Sequence, residues 1–341
     1  MEWNCAPTCI GSLPFVDPRK ALDEIIGRLH EVPFWPQLPA RGFQENMYAQ
    51  YATHLPGVVI DRENKRVSVD LDNYDPEDFY NRIINDDVES FAYPEDCFSG
   101  FYELMKRKLP KGARAVKGQV TGPVSAGLQI MDQNGRPAIY DEAYGEIIRR
   151  NLNMCVRWQE RQLSGLSDQV IIFLDEPSLS LIGTPFASVS GDSVISWIDE
   201  VFESVMAIRG LHCCGNTDWP MVLSTSVDLL SFDAYNYAFS VSLYPEQLKR
   251  FLDRGGTLSW GLVPNMDHRL EKETVDTLLA KFDSTLNELV AKGLSRDLLL
   301  EQSMITPECG LGGLSESESL RVLDLLVEVS DAIRSEHGLE D

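Results

Sequence analysis

A chain of 341 residues with 43% hydrophobic and 24% charged residues has the balance of a soluble folded protein and excludes a disordered or membrane-embedded one. Thirty basic residues against fifty-three acidic ones leave a net charge of −23, a field that repels nucleic-acid phosphates and anionic membranes, so neither is expected as a partner. The length is generous for an average domain yet lies inside the range of a single α/β barrel.

Short apolar runs alternate with long amphipathic stretches from end to end, the rhythm of β/α units. A strand is predicted near Thr8-Cys9-Ile10. Asp17 before Pro18 then reads as an N-cap with proline at the first helical position, and Ala21, Ile25 and Leu29 follow at four-residue spacing. Val58-Val59-Ile60 and Val67-Ser68-Val69 flank a polar turn and read as a strand and a hairpin arm. Further strands are predicted at residues 113–120, 169–174, 210–212, 228–232, 257–260 and 303–305, giving about eight in all. Asp141 opens a long helix to about Gly165 with Tyr144, Ile148, Leu152 and Cys155 on one face, and Ser315 to Glu318 forms a capping box before the last helix. No repeat or linker separates two domains. The expectation is one (β/α)8 barrel over residues 1–341, with a Pro- and aromatic-rich excursion within about 30–110.

Seven cysteines, odd in number and irregularly spaced, do not form a disulfide framework. The start at Met1 lacks a basic-then-apolar leader, and no apolar run nears the roughly 18 residues of a spanning helix, so a cytoplasmic location with reduced thiols is expected.

The unusual residues fall at strand ends. Gly11-Ser12, Asp175-Glu176-Pro177, His212-Cys213-Cys214, Asp233, Pro264-Asn265 and Cys309 each lie at or just past the C-terminal end of a predicted strand, the face on which an α/β barrel builds its active site. In extended chain, His212 and Cys214 share a side and Cys213 faces the other. With Cys309 they make a soft donor set suited to zinc. Asp233 is the candidate fourth donor, and a carboxylate capping the next segment is its alternative. Two thiolates and a carboxylate on Zn²⁺ leave the site at about −1, a poor setting for splitting water but a good one for holding a nucleophilic thiolate. That matters because a free alkyl thiol is only about 3% ionised at pH 7.

Asp175 is a candidate for binding a substrate ammonium, or a turn carboxylate before a helix-start proline. Ile10, Gly11 and Ser12 offer backbone N–H groups and a hydroxyl to a carboxylate, or make a plain tight turn. His268 is the candidate general acid, with an exposed loop histidine as its alternative. Phosphate loops, dinucleotide turns, His-Glu-x-x-His and Gly-x-Ser-x-Gly are absent, which removes kinases, Rossmann dehydrogenases, zincins and serine hydrolases.

Ile10-Gly11-Ser12-Leu13-Pro14, Asp175-Glu176-Pro177, His212-x-Cys214 and Pro307-x-Cys309-Gly310-Leu311, in this order, resemble the catalytic half of cobalamin-independent methionine synthase. His212 to Thr217 also resembles the related zinc methyltransferases of methanogens within the uroporphyrinogen decarboxylase superfamily. The resemblance implies a (β/α)8 barrel with zinc held by His212, Cys214 and Cys309. It also implies homocysteine as methyl acceptor, with Ile10 and Ser12 at its carboxylate and Asp175 at its amine. Asp233 falls where the synthase has a longer Glu ligand. The synthase's amine-binding Glu has no clear counterpart, although Gln37, Glu45 and Asn46 lie in the corresponding stretch. His268 stands closer to its preceding Pro than the family's catalytic His does. The synthase's N-terminal, folate-holding barrel has no room in 341 residues, so the resemblance is to a short core form. Such forms imply a methyl-corrinoid, carried on a partner protein, as donor. Another small thiol such as coenzyme M, a porphyrinogen decarboxylase and a non-catalytic zinc or thiol-binding subunit are the alternatives.

Overall fold

The six strands predicted from residue 113 onward are mainly apolar, as a parallel sheet sheathed in helices requires. The computed structural model describes residues 2–339. Its strands are β1 (Ala6–Pro7), β2 (Val58–Asp61), β3 (Arg66–Val69), β4 (Val116–Thr121), β5 (Val170–Asp175), β6 (Ile208–Cys213), β7 (Leu229–Phe232), β8 (Thr257–Val263) and β9 (Ser303–Pro307). Seven of them form one parallel sheet in the order β1-β9-β8-β7-β6-β5-β4.

The sheet closes through an eighth stave at residues 33–37, which lacks a regular ladder. Lys117 N–H donates to the Pro33 carbonyl at 2.9 Å on one side, while Gln37 N–H donates to Gly11 O at 3.0 Å and Leu13 N–H to Gln37 O at 2.9 Å on the other. Pro33 and Pro36 have no amide hydrogen, so this stave can only be bridged at intervals. The sequence pattern reads Val58-Val59-Ile60 and Val67-Ser68-Val69 as a strand and a hairpin arm within its count of about eight strands. In the structure they pair with each other as an antiparallel hairpin in a separate two-stranded sheet, and β3 is also bridged to Met131.

The helices begin where their caps place them. Asp17 accepts from Arg19 N–H ahead of the helix Pro18–Arg28, and Asp141 from Tyr144 N–H ahead of Glu142–Leu163. Ser315 and Glu318 satisfy each other's backbone N–H at the start of Glu316–His337. No helix among the described residues is long and apolar enough to cross a membrane.

One end of the barrel is filled by Trp3, Ala6, Val32, Ala115, Ile171, Phe173, Leu229 and Met304. The stretch between the eighth stave and β4 is pinned outside by aromatic packing. Tyr93 stacks on Phe98 with centroids 4.1 Å apart, and Phe101 tilts against Trp158 of Glu142–Leu163 at 4.8 Å. Gly100, in the helix Ser99–Met105, permits this contact, because a Cβ there would overlap the Pro36 carbonyl oxygen. Backbone cannot yield as a flexible side chain can, so Gly100→Ala is expected to lower unfolding free energy by about 3 kcal/mol. A urea titration with the midpoint unmoved would refute this.

Candidate metal centre

β6 delivers His212 to the barrel interior, in register with Ser231 of β7. His212 Nδ1 lies 3.0 Å from the Ser231 hydroxyl, while Nε2 is buried and meets no hydrogen-bond partner among the described residues. An imidazole that gives its Nδ1 proton to a hydroxyl presents a lone pair at Nε2, the form a metal takes. Donor atoms of His212, Cys214 and Cys309 all lie within 4.8 Å of one another. Tetrahedral zinc with Zn–S near 2.3 Å spaces its ligands by about 3.5–3.8 Å, so a small contraction brings the three onto one ion. The orphaned imidazole nitrogen and the two facing thiols thus fit zinc. Cys213 turns the other way, buried, with its thiol donating to Gly215 O.

The two thiols are unequal. Cys309 and His212 beside it lower the Cys214 pKa against burial, whereas the neighbouring Cys214 and burial raise that of Cys309. Cys309 is held by its loop: Asn265 Nδ2 donates to Gly310 O at 2.8 Å, and Leu311 N–H to Ser12 O at 2.9 Å. A Cβ at Gly310 would overlap the Ser12 hydroxyl, so glycine is what lets the Cys309 and Ser12 loops meet.

Asp233 stands apart from the cluster. It caps the helix Ala234–Ser242, accepting from Asn236 N–H at 2.9 Å and Asn236 Nδ2 at 2.7 Å. Burial pushes its carboxyl up to about 6. Asn236 also donates to Glu308, which accepts Asn265 N–H at 3.0 Å and faces Arg269 at 3.4 Å. This network ties the β7 and β9 loops together, and its members Asn236, Glu308 and Arg269 escape a reading of the sequence because none of them holds a fixed position in a strand-end motif. His268 is exposed on the short helix Asp267–Leu270, outside the cavity lining.

The carboxylates of Asp175 and Glu176 part company. Glu176 is fully buried and binds Val124 N–H, Ser125 N–H and the Ser125 hydroxyl at 2.7–2.8 Å; burial pushes it up to about 7 against those bonds. Asp175, beside His212 in the β5–β6 register, has a buried Oδ1 with no hydrogen-bond partner. Burial raises its carboxyl to about 6, opposed by His212 and Lys117.

One cavity of about 290 Å³ unites these groups, lined by Ile10, Ser12, Gln37, Asn46, Asp175, His212, Cys214 and Cys309 among others. Gly11 sits between two lining residues. Of the three residues in the stretch of the missing Glu, Gln37 and Asn46 reach the cavity, whereas Glu45 accepts from Ser99 and Arg41 elsewhere.

Lys117 has no hint in the sequence beyond a polar position in a strand. It is buried inside the barrel, with Nζ donating to Ile10 O and lying 5.0 Å from the Phe173 ring centre. Burial lowers it from 10.5 to about 8, opposed by Asp175. Between those values the unfolded chain binds more protons than the folded one, so folding gains stability as pH rises through that window. The drop is worth about 3 kcal/mol. The stability difference between the native protein and Lys117→Met is therefore expected to shift by about that amount, in the native protein's favour, from pH 7 to pH 10.5. Parallel pH profiles from chemical denaturation would contradict it.

The fold and site together define an eight-stave α/β barrel with a His/Cys/Cys donor cluster at the C-terminal ends of its strands. Three solved structures share the architecture. A B12-independent methionine synthase from Shewanella sp. W3-18-1, in complex with selenomethionine, superposes with a TM-score of 0.61 at 12% identity, covering 98% of this chain and 99% of that one. A putative vitamin-B12 independent methionine synthase from Listeria monocytogenes gives 0.58 at 14%, over 93% and 85% of the two chains. A methyltransferase from Methanosarcina mazei gives 0.55 at 15%, over 98% and 94%. At such identities the likeness establishes the fold. No family model matches the sequence, and no curated protein does.

Proposed function

We propose that this chain is a zinc-dependent methyltransferase that moves a methyl group onto the thiol of homocysteine, giving methionine. The observation that carries the reading is the convergence of His212, Cys214 and Cys309 within 4.8 Å on the same cavity as the unpartnered Asp175 oxygen. His212, Cys214 and Cys309 would hold the metal, which when bound supplies a means of keeping a substrate thiol deprotonated at neutral pH.

The protein's own groups do the rest. Asp175 accepts the substrate ammonium, and the Ile10 to Ser12 turn receives the carboxylate. The cavity, at about 290 Å³, lies just below the ~300–1,000 Å³ range of pockets for larger ligands. It suits an amino acid and leaves a bulky donor outside, presenting its methyl group at the mouth. Bond formation between sulfur and methyl accompanies cleavage of the donor's bond to that methyl. A methyl-corrinoid, carried by a partner protein, is the donor proposed. The likeness to methionine synthase and methyltransferase folds supports the reaction class.

The test is to measure zinc by elemental analysis, then incubate the protein with homocysteine and methylcobalamin beside a methyltetrahydrofolate control. Methionine from the corrinoid arm supports the reading; zinc-free protein, or no methionine from either donor, counts against it.

A further inference from the structure

Under the floor of the cavity lies a buried cation for which thiol methylation has no direct use. We propose that Lys117 is a positioning residue that turns the Ile10–Gly11 peptide so that the Gly11 and Ser12 N–H groups form a seat for the substrate carboxylate. This rests on the functional reading above, in which the acceptor is an amino acid.

The argument begins with one hydrogen bond. Lys117 is 1% exposed and its ammonium donates to the Ile10 carbonyl. Its other polar neighbour, Gln119 Oε1 at 3.4 Å, is oriented by the same residue's Nε2, which donates to Trp35 O at 3.1 Å. A carbonyl can only accept, so the amide's oxygen is fixed on the lysine side. There are no cis peptide bonds among the described residues, and a trans peptide directs its N–H opposite its C=O. With the Ile10 carbonyl drawn down to Lys117, the Gly11 N–H points away from the ammonium. Ile10 and Ser12, on either side of it, both line the cavity.

Neither the Gly11 nor the Ser12 N–H meets a protein acceptor among the described residues, although Gly11 O and Ser12 O are both engaged. Both N–H groups are therefore left as donors available to an anion in the cavity. The turn also requires glycine: Gly11 has φ +154°, and a Cβ there would lie 2.8 Å from Gln119 Cδ. Behind the peptide, Lys117 contributes positive charge in a setting with little water to screen it. Asp175, which also faces Lys117, offers the opposite charge for the ammonium of the same ligand.

The experiment compares two ligands by calorimetry on zinc-loaded protein: homocysteine and 3-aminopropane-1-thiol, which lacks only the carboxylate. Both share the thiol and the ammonium, so the ratio of their Kd values isolates the carboxylate. Charge-assisted hydrogen bonds predict that the native protein prefers homocysteine by about tenfold or more. Lys117→Met should erase that preference while leaving the affinity for the aminothiol unchanged. Lys117→Gln, which keeps a donor without the charge, should retain part of the preference, and it carries the comparison if the Met variant fails to fold. An undiminished preference in these variants overturns the role of Lys117 and leaves the proposed function standing. Equal weakening of both ligands also overturns it, as a structural effect. Failure of the native protein to prefer homocysteine would bring down both the seat and the amino-acid acceptor.

Discussion

Cys309→Ser is expected to strip the protein of its metal and, with it, of thiol methylation. A zinc site worth about 10–16 kcal/mol over three or four donors gives each about 3–5 kcal/mol, so losing one thiolate should weaken zinc binding by roughly 10²–10³-fold or more. Cys214→Ser should behave alike, because the two sulfurs and a His212 ring nitrogen lie within 4.8 Å of one another. Cys213→Ser is the internal control: its thiol faces Gly215 O, and zinc should be retained. Asp233→Asn tests the remaining donor candidate. Asn is a good helix cap, so the fold should be kept, and retained zinc would identify Asp233 as a cap alone. Metal content measured on dialysed protein decides these cases. Zinc and methylation that both survive in Cys214→Ser and Cys309→Ser would end the metal assignment.

The second large effect concerns the acceptor. Asp175→Asn should raise the KM for homocysteine by about 10²-fold while changing kcat less. An ammonium paired with a buried carboxylate loses about 2–3 kcal/mol when that charge is removed. The geometry behind this is the placement of Asp175 on the cavity wall with its Oδ1 buried and without a hydrogen-bond partner. Gln37, Asn46 and Ser12 on that wall are neutral, so the single formal charge of Asp175 would hold the amine. Steady-state kinetics with homocysteine and with a thiol lacking the amine separate the cases. An unchanged KM would favour an acceptor that carries no ammonium.

The residues themselves explain what could be read beforehand. β4 to β9 were legible because largely buried strands leave short, mainly apolar segments between turn residues. The stave at 33–37 was not, since Pro33 and Pro36 remove both the donors and the pattern, and the β2–β3 hairpin offered a more regular substitute. His212, Cys214 and Cys309 stood out because imidazole and thiol donors gathered at two strand ends are uncommon in a core. Asp233 shows where sequence stops: a helix cap and a metal ligand both call for a carboxylate just after a strand, and only coordinates show that its oxygens face Asn236. Lys117 and Gln119 were hidden by the geometry of a closed barrel. Alternating polar residues in a strand signal a wet face in an open sheet, whereas here that face is the dry interior.

The donor cluster is dispersed along the chain, with His212 and Cys214 following β6 and Cys309 following the last strand. During synthesis, the 95 residues from Cys214 to Cys309 take about 5–20 s to leave the ribosome at ordinary elongation rates. A nascent or prematurely ended chain therefore carries two donors in a ring that still lacks β9, which pairs with both β1 and β8. Metal retention would then report completed translation and ring closure together, and protein truncated before residue 309 should remain metal-free however much of it accumulates.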